Sequence, residues 1–281
     1  MNKLKTEAAI QWCPGCGNYS ILNHVLAVLE DLERDGFPLE KVILVSGIGN
    51  HAKIVDYVKV NSFYSIHGRT VPVAEAIKLA GPDSRVICFA GDGDAYAEGL
   101  DHLIFAAKRN IDITVVIHNN RAYALATGQF TPTTPQHYIG TTTPYGSNEK
   151  PFNPLELVLA SGATFVARGY PARGQHFQQL LKEAILHKGF SLIDVLQVCV
   201  TYNNLYDFYN RNVVESSVND PTDLEEARQI IRSWDYNSEA PIAIGKFYDV
   251  QQAGFEDNYL EAGFTEKELN TALQKALEKL I

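Results

Sequence analysis

Short apolar runs alternate along this chain with stretches whose apolar residues recur at helical spacing. The first helical stretch follows Asn18, a residue suited to capping, and carries Ile21, Leu22, Val25, Leu26, Val28 and Leu29 as far as Asp35-Gly36. Val42 to Val45 reads as a strand, and Phe63 to Ile66 as another. Val71 to Leu79 forms a short helix stopped by Gly81-Pro82. Val86 to Ala90 is a strand, Glu98 to Arg109 a helix and Ile113 to Ile117 a strand. A long stretch rich in Thr, Pro, Gly and Tyr, residues 121–152, reads as a binding loop. After it the pattern gives a helix (155–159), a strand (164–167), a helix (177–187) and a strand (192–198). Such alternation predicts an α/β chain with a mostly parallel sheet and helices on both faces.

From about residue 203 the chain changes character. It becomes rich in Tyr and Asn, with Pro221 opening a helix near Leu224 to Trp234 and an amphipathic helix from Glu266 to about Leu280. The expected organisation is therefore a domain over 1–202, including an N-terminal cysteine segment, and a C-terminal extension over 203–281 packed on the domain or on a partner.

Chemistry concentrates in residues 91–129. The strand ending at Ala90 delivers Gly91-Asp92-Gly93-Asp94, and the strand ending at Ile117 delivers Asn119-Asn120. Asp92 offers a carboxylate and Asn120 an amide oxygen, both just past strand ends, where open α/β sheets bind ligands. Mg²⁺ takes such hard oxygen ligands together with phosphate and water. Gly91 and Gly93 are expected to let the backbone approach a phosphate. Asp94 is expected to orient the loop or to cap a helix.

The net charge of −9 argues against a nucleic-acid binder, and an acidic chain holding a diphosphate needs local positive charge, which a metal supplies. No apolar run approaches membrane-spanning length, and the N-terminal Met1-Asn2-Lys3-Leu4-Lys5 has no apolar signal core, so a cytoplasmic location is expected. Such a compartment keeps thiols reduced. Of the four cysteines, Cys88 lies in an apolar run typical of a buried strand. Cys13-Pro14-Gly15-Cys16, just before a helix, fits zinc, a redox dithiol or an iron–sulfur cluster. A thioredoxin-like site needs a preceding strand, for which Gln11-Trp12 leaves no room, and a four-cysteine zinc site usually has a second close pair, which this chain lacks.

The segment 91–120 resembles the thiamine-diphosphate motif. More closely, the chain resembles the β subunit of 2-oxoacid:ferredoxin oxidoreductases over roughly residues 10–215. The resemblance is carried by Trp12 to Gly17, Ser46-Gly47-Ile48-Gly49, His67-Gly68-Arg69, Gly91 to Asp94, Asn119 to Tyr123, Gly128-Gln129 and Cys199 to Asn203, in that order. It implies a thiamine-diphosphate-binding fold. It also implies that Asp92, Asn120 and the backbone carbonyl of Ala122 hold Mg²⁺. Gly47, Ile48, Gly49, His67, Gly68, Arg69, Gly91, Gly93, Asp94, Tyr123, Gly128 and Gln129 would then surround the coenzyme. Arg69 and the Gly68 amide would hold a carboxylate or phosphate, and Gly128-Gln129 would close over it. Family members carry a second glycine where this chain has Thr127. Lys53 is expected to look into the cleft, where it can pair with a distal substrate carboxylate such as that of 2-oxoglutarate. Leu125 offers the substrate an apolar wall.

The same resemblance implies a 4Fe–4S cluster on Cys13, Cys16, Cys199 and a cysteine directly after Gly-Ile-Gly. Here that position is Asn50, followed by His51. A cluster with a non-thiolate fourth ligand, Asn50 or His51, is the favoured expectation; a three-iron cluster, an empty site or mixed-ligand zinc are the others. The implied reaction is oxidative decarboxylation of a 2-oxoacid, of the pyruvate or 2-oxoglutarate class, to acyl-CoA, with electrons passing to ferredoxin. No catalytic side chain is assignable on this chain, because the activating glutamate of the family lies on the α subunit, so an αβ or α₂β₂ assembly is expected. Two other readings remain: a non-oxidative thiamine-dependent decarboxylase relative without the cluster, motivated by Asn50, and a non-catalytic scaffold subunit.

Overall fold

The computed structural model describes residues 3–216, 218–257 and 266–278. Eight strands form one sheet: β1 (Val42–Ser46), β2 (Asn61–Tyr64), β3 (Arg85–Gly91), β4 (Ile113–Asn119), β5 (Phe165–Gly169), β6 (Ser191–Leu196), β7 (Val213–Glu215) and β8 (Ile242–Asp249). Their order is β2-β1-β3-β4-β6-β5-β8-β7, and only the β5–β8 pair is antiparallel. Every residue of β4 and β6 is buried, so these strands do not alternate apolar with polar; β6 carries the buried Asp194 in its middle.

One face is covered by α1 (Asn18–Arg34), α5 (Gly174–Leu186) and the short 3₁₀ helix Asn50–Asp56, whose Leu29, Ile54, Leu181 and Ile185 pack on Leu44, Phe89 and Ile193. The other is covered by α2 (Thr70–Ala80), α3 (Leu100–Arg109), α4 (Pro154–Ala160) and α7 (Leu224–Arg232), which follows α6 (Tyr206–Asn212). The chain leaves β1 toward the first face and leaves β3 toward the second. The switch between these two neighbours opens a crevice at the carboxyl ends of the strands. Cys88, fully buried in β3, belongs to the core.

The elements sit close to where the pattern puts them, with three corrections. Gly17, not Asn18, is the N-cap of α1; Asn18 is inside the first turn, 3% exposed, and its Oδ1 lies 2.8 Å from Nδ1 of His118 on β4. The strand expected at Phe63 to Ile66 is Asn61–Tyr64, because it pairs with β1 two residues earlier. The helix expected from Glu98 starts at Leu100, and a π-helical turn, Asp94–Glu98, precedes it. Such wide turns recur at functional sites.

Residues beyond 202 contribute to the same sheet. β7 and β8 extend it past β5, and Trp234, Tyr236, Ile242 and Ile244 form a third apolar cluster with Tyr170, Leu196 and Tyr209. A last helix, α8, spans Glu266–Glu278; the expected end near Leu280 lies outside the described residues. Among the described residues no helix is long and apolar enough to cross a membrane.

At the junction of β5, β6 and β8 lies an ion pair with no solvent exposure. Arg168 Nε is 3.7 Å from Asp194 Oδ2, and the guanidinium sits 5.1 Å from the Trp234 ring centroid and 5.2 Å from that of Tyr236. Tyr96, Tyr236 and Asn119 all donate to the Asp194 carboxylate. Removing one member of a buried pair strands the other charge, at a cost of about 3–5 kcal/mol. Arg168→Met is therefore expected to lower the urea unfolding midpoint strongly, and the double variant Arg168→Met/Asp194→Asn to recover part of the loss.

Candidate active site

The crevice has a volume of about 270 Å³ and is lined by the carboxyl-end loops of β1, β2, β3 and β4, with Gln197 after β6 and Asn18 of α1. Of the residues expected around a coenzyme, Ile48, Gly49, His67, Gly91, Asp92, Gly93 and Asp94 line it. Asn120, Ala122, Tyr123 and Leu125 line it from the β4 side. The crevice thus brings together all three expected Mg²⁺ ligand residues.

Asp92, 2% exposed, has its Oδ2 fixed by two hydroxyls, Thr131 Oγ1 at 2.6 Å and Thr133 Oγ1 at 3.0 Å. Thr133 Oγ1 also lies 2.9 Å from Oδ1 of Asn119, so its single proton is shared between Asp92 and Asn119, and Asn119 Nδ2 donates to Asp194. The first asparagine of the pair is therefore a buried strut, and the second is the one in the cleft. Asn120 Oδ1 accepts from the Ala122 amide in a tight turn, and the Asn120 carbonyl accepts from Nδ2 of Asn203. Arg121, at φ +60°, points away from the cleft: it donates to Thr133 and Tyr236 carbonyls and lies over Trp234, anchoring the 121–152 loop.

Asp94 orients the loop; it is not a cap with a side-chain bond to its own turn. Its Oδ1 accepts from the Gly68 amide at 2.6 Å, its Oδ2 accepts from Thr70, and His51 Nε2 lies 3.6 Å away. Burial raises the carboxyl, but the His51 ring and the Gly68 amide outweigh it and hold Asp94 below the usual carboxylate range. Gly47 is glycine for this reason: a Cβ there would stand 1.8 Å from Asp94 Oδ2. Gly93 and Gly91 likewise make room for side chains, since a Cβ would meet the Tyr123 ring at 2.1 Å or His51 Nδ1 at 2.9 Å.

Several expected contacts are not in the cleft. The Gly68 amide is spent on Asp94, and Arg69 is exposed, donating to the carbonyls of Gly68 and Glu98. Lys53 is not part of the lining and pairs with Asp56 at 3.6 Å, a neighbour on its own 3₁₀ helix. Gly128 and Gln129 close the 123–129 loop by a backbone bridge to Tyr123 rather than facing the cleft. Thr127 takes φ +62° there, a conformation suited to the glycine expected at this position and strained for a β-branched residue. Missed from the sequence were Asn18, His118, Gln197, Thr131 and Thr133. The run Thr131-Pro-Thr-Thr-Pro was the one available signal for the hydroxyl pair.

The electrostatics of the lining bear on what it can hold. It carries two carboxylates, Asp92 and Asp94, three histidines, and no Lys or Arg. Burial and the neighbouring His51 hold His118 well below the usual imidazole value, so it stays neutral, and its Nε2 has no partner. With no Lys or Arg in the lining, a diphosphate here would need its countercharge from elsewhere, and Asp92, Asn120 and the Ala122 carbonyl are hard oxygen donors of the kind a divalent cation takes.

A second cleft of about 260 Å³ lies next door, lined by Cys13, Cys16, Cys199, Trp12, Thr201 and Asn50. Asn50, Ala124 and Leu125 line both clefts and form the wall between them. Burial pushes the Cys16 thiol up to about 11. Thr201 donates to Cys13 Sγ and Gln197 to Cys16 Sγ, each at 3.5 Å. Of the two residues considered for a fourth ligand, Asn50 lines this cleft as well as the other, whereas His51 lines only the other and packs 5.7 Å from His118. Among the described residues no three His, Cys, Asp or Glu side chains gather closely enough for a single metal ion. The three thiols of Cys13, Cys16 and Cys199 line one cavity.

This arrangement, a diphosphate-sized crevice at the strand ends of a doubly wound sheet, belongs to a recognisable class. Residues 47–195 match the family described as thiamine pyrophosphate enzyme, C-terminal TPP binding domain. The chain is 39% identical to the 2-oxoacid:ferredoxin oxidoreductase 1 subunit beta of Aeropyrum pernix, over 87% of this chain and 79% of that one. It is 38% identical to a 2-oxoglutarate synthase subunit of Methanothermobacter marburgensis, over 85% and 82%. A solved structure described as the 2-oxoglutarate:ferredoxin oxidoreductase from Magnetococcus marinus with 2-oxoglutarate, coenzyme A and succinyl-CoA bound superimposes with a TM-score of 0.87 at 30% identity, covering 96% of this chain and 94% of that one. The chain belongs to the family of 2-oxoacid:ferredoxin oxidoreductase β subunits.

Two predictions follow from the geometry. Burial pushes Asp92 up to about 6, above the unfolded carboxylate value of about 3.9. Between these values the folded chain holds a proton the unfolded chain has released, so stability falls as pH rises through 6. In EDTA, Asp92→Asn is expected to unfold at higher temperature than the native chain at pH 7.5, with the gain shrinking toward pH 4. Thr127→Gly relieves a strain of about 1–3 kcal/mol, less the entropy glycine adds to the unfolded chain, so thermal melting is expected to show a midpoint higher by about 2–4 °C.

Proposed function

We propose that this chain is the coenzyme-binding subunit of an enzyme that converts a 2-oxoacid and coenzyme A to acyl-CoA and CO₂, with ferredoxin as electron acceptor. Each turnover releases two electrons, taken up by two ferredoxins, and one proton. The observation that carries the reading is the lining itself: an oxygen-donor triad at two adjacent strand ends, in a cleft with no lysine or arginine, suits a diphosphate held through a cation.

Asp92, Asn120 and the Ala122 carbonyl would hold Mg²⁺, and Mg²⁺ the diphosphate of thiamine diphosphate. Bound, that coenzyme supplies the electron sink for decarboxylation. Thr131 and Thr133 keep the Asp92 carboxylate aimed, and Asp94 keeps the His67-Gly68-Arg69 turn against the π-helical turn. The exposed Leu125 offers an apolar contact for the substrate chain. Cys13, Cys16 and Cys199 would hold an iron–sulfur cluster one wall away, on the path by which electrons leave.

Among the described residues the lining contains no glutamate, and the resemblance places the group that activates the coenzyme ring on an α subunit. The exposed apolar side chains of Ile48, Ile66 and Leu125, in or beside the cleft, suit burial against that partner in an αβ or α₂β₂ assembly. The test is anaerobic turnover with pyruvate or 2-oxoglutarate, coenzyme A and oxidised ferredoxin. The chain copurified with its α partner is expected to reduce ferredoxin, and the isolated chain to show none. Turnover by the isolated chain, or none by the pair with any 2-oxoacid, would contradict the proposal.

A further inference from the structure

The loops that carry Asp92 and Asn120 leave neighbouring strands where the pairing between those strands ends. β3 and β4 pair as far as Gly91 and His118, so both residues lie past the last rung. On the buried side Thr133 spans the gap, touching Asp92 and Asn119. On the open side Tyr123 spans it. Its ring, from the β4 loop, lies over Gly93, and its hydroxyl reaches the π-helical turn, 3.0 and 3.1 Å from the two carboxylate oxygens of Glu98. The Tyr123 amide donates to the Gln129 carbonyl and its own carbonyl accepts from Gly128, so the side chain carries the whole turn with it. Glu98 lies 3.4 Å from Nδ1 of His67, and His67 Nε2 lies 3.9 Å from Asp94 Oδ1. Tyr123, Glu98, His67 and Asp94 thus join the loops after β2, β3 and β4 around the crevice.

We infer that the Tyr123–Glu98 hydrogen bond is a latch that sets the spacing between Asp92 and the Asn120–Ala122 turn, which makes these two positioning residues for the cation. The inference rests on the coenzyme reading proposed above. Ala122 offers a backbone carbonyl, and a carbonyl is aimed only by what holds the residues on either side of it. Before it, Asn120 Oδ1 accepts from the Ala122 amide; after it stands Tyr123. Mg²⁺ demands near-ideal octahedral geometry, so drift of this turn relative to Asp92 is felt as lost affinity. Groups that hold metal ligands from behind typically cost 10–100-fold in affinity when removed, and the exposed position of Glu98 places this bond at the low end, about tenfold.

The test is calorimetric titration of Mg²⁺ into the α-partnered protein at saturating thiamine diphosphate, with Tyr123→Phe, Glu98→Leu and Glu98→Gln beside the native chain. Tyr123→Phe and Glu98→Leu are each expected to weaken Mg²⁺ binding about tenfold, and the double variant no further, because both remove one bond. Glu98→Gln keeps an acceptor for the Tyr123 hydroxyl and is expected to bind Mg²⁺ as the native chain does. Glu98 is exposed, so its variants report even where Tyr123→Phe disturbs folding, which melting in EDTA reveals. Native affinity in Glu98→Leu overturns the latch and leaves the coenzyme reading standing. Weakening by Glu98→Gln as great as by Glu98→Leu also overturns it, since charge and not the bond would then be acting. A native assembly that binds no coenzyme with Mg²⁺ overturns the coenzyme reading, and the latch with it.

Discussion

The whole site hangs on how one buried carboxylate is held. Asp92 sits at the end of β3 with almost no exposure, and burial disfavours its charge. Two threonine hydroxyls from a loop some forty residues away in sequence offset part of that cost and fix its direction. The fixing continues inward from Thr133 to Asn119, from Asn119 to Asp194, and from Asp194 to Tyr236 and Arg168. A charge kept in an unfavourable place by a rigid polar network is a charge waiting for a counterion.

The same network draws in the segment beyond residue 202. Tyr236, which donates to Asp194 and stacks near Arg168, comes from there. So does Asn203, whose side chain holds the backbone of Asn120 while its own amide closes a turn on Cys199. One short turn therefore ties the cysteine cleft to Asn120, the expected cation ligand. Gln197 adds a second tie, lining the crevice and donating to Cys16. The two clefts share the wall of Asn50, Ala124 and Leu125, so a group in one lies close to a group in the other without any long relay.

Much of this was legible in the chain, for physical reasons. Fully buried parallel strands leave uninterrupted apolar runs, and those at Val86 to Ala90 and Ile113 to Ile117 located Asp92 and Asn120 by their ends alone. What stayed hidden depends on long-range packing. Nothing local to Lys53 says that Asp56 claims it, and nothing local to Gly93 says that a tyrosine ring fills the space of its missing Cβ. Asn18 looked like a cap because its residue type suits one, but a histidine one hundred residues on competes for its side chain. Thr131 and Thr133 sat in a stretch readable only as a binding loop. The departure at Asn50, by contrast, was visible as a single changed letter, and only the fold says that it lines both clefts.

Calorimetric titration of thiamine diphosphate into the α-partnered protein, with Mg²⁺ and then with EDTA in its place, tests the central claim most directly. The account predicts a strong binding signal with Mg²⁺ that disappears when the cation is chelated, and that is equally lost in Asp92→Ala with Mg²⁺ present. Binding of equal strength with and without the divalent cation would contradict it.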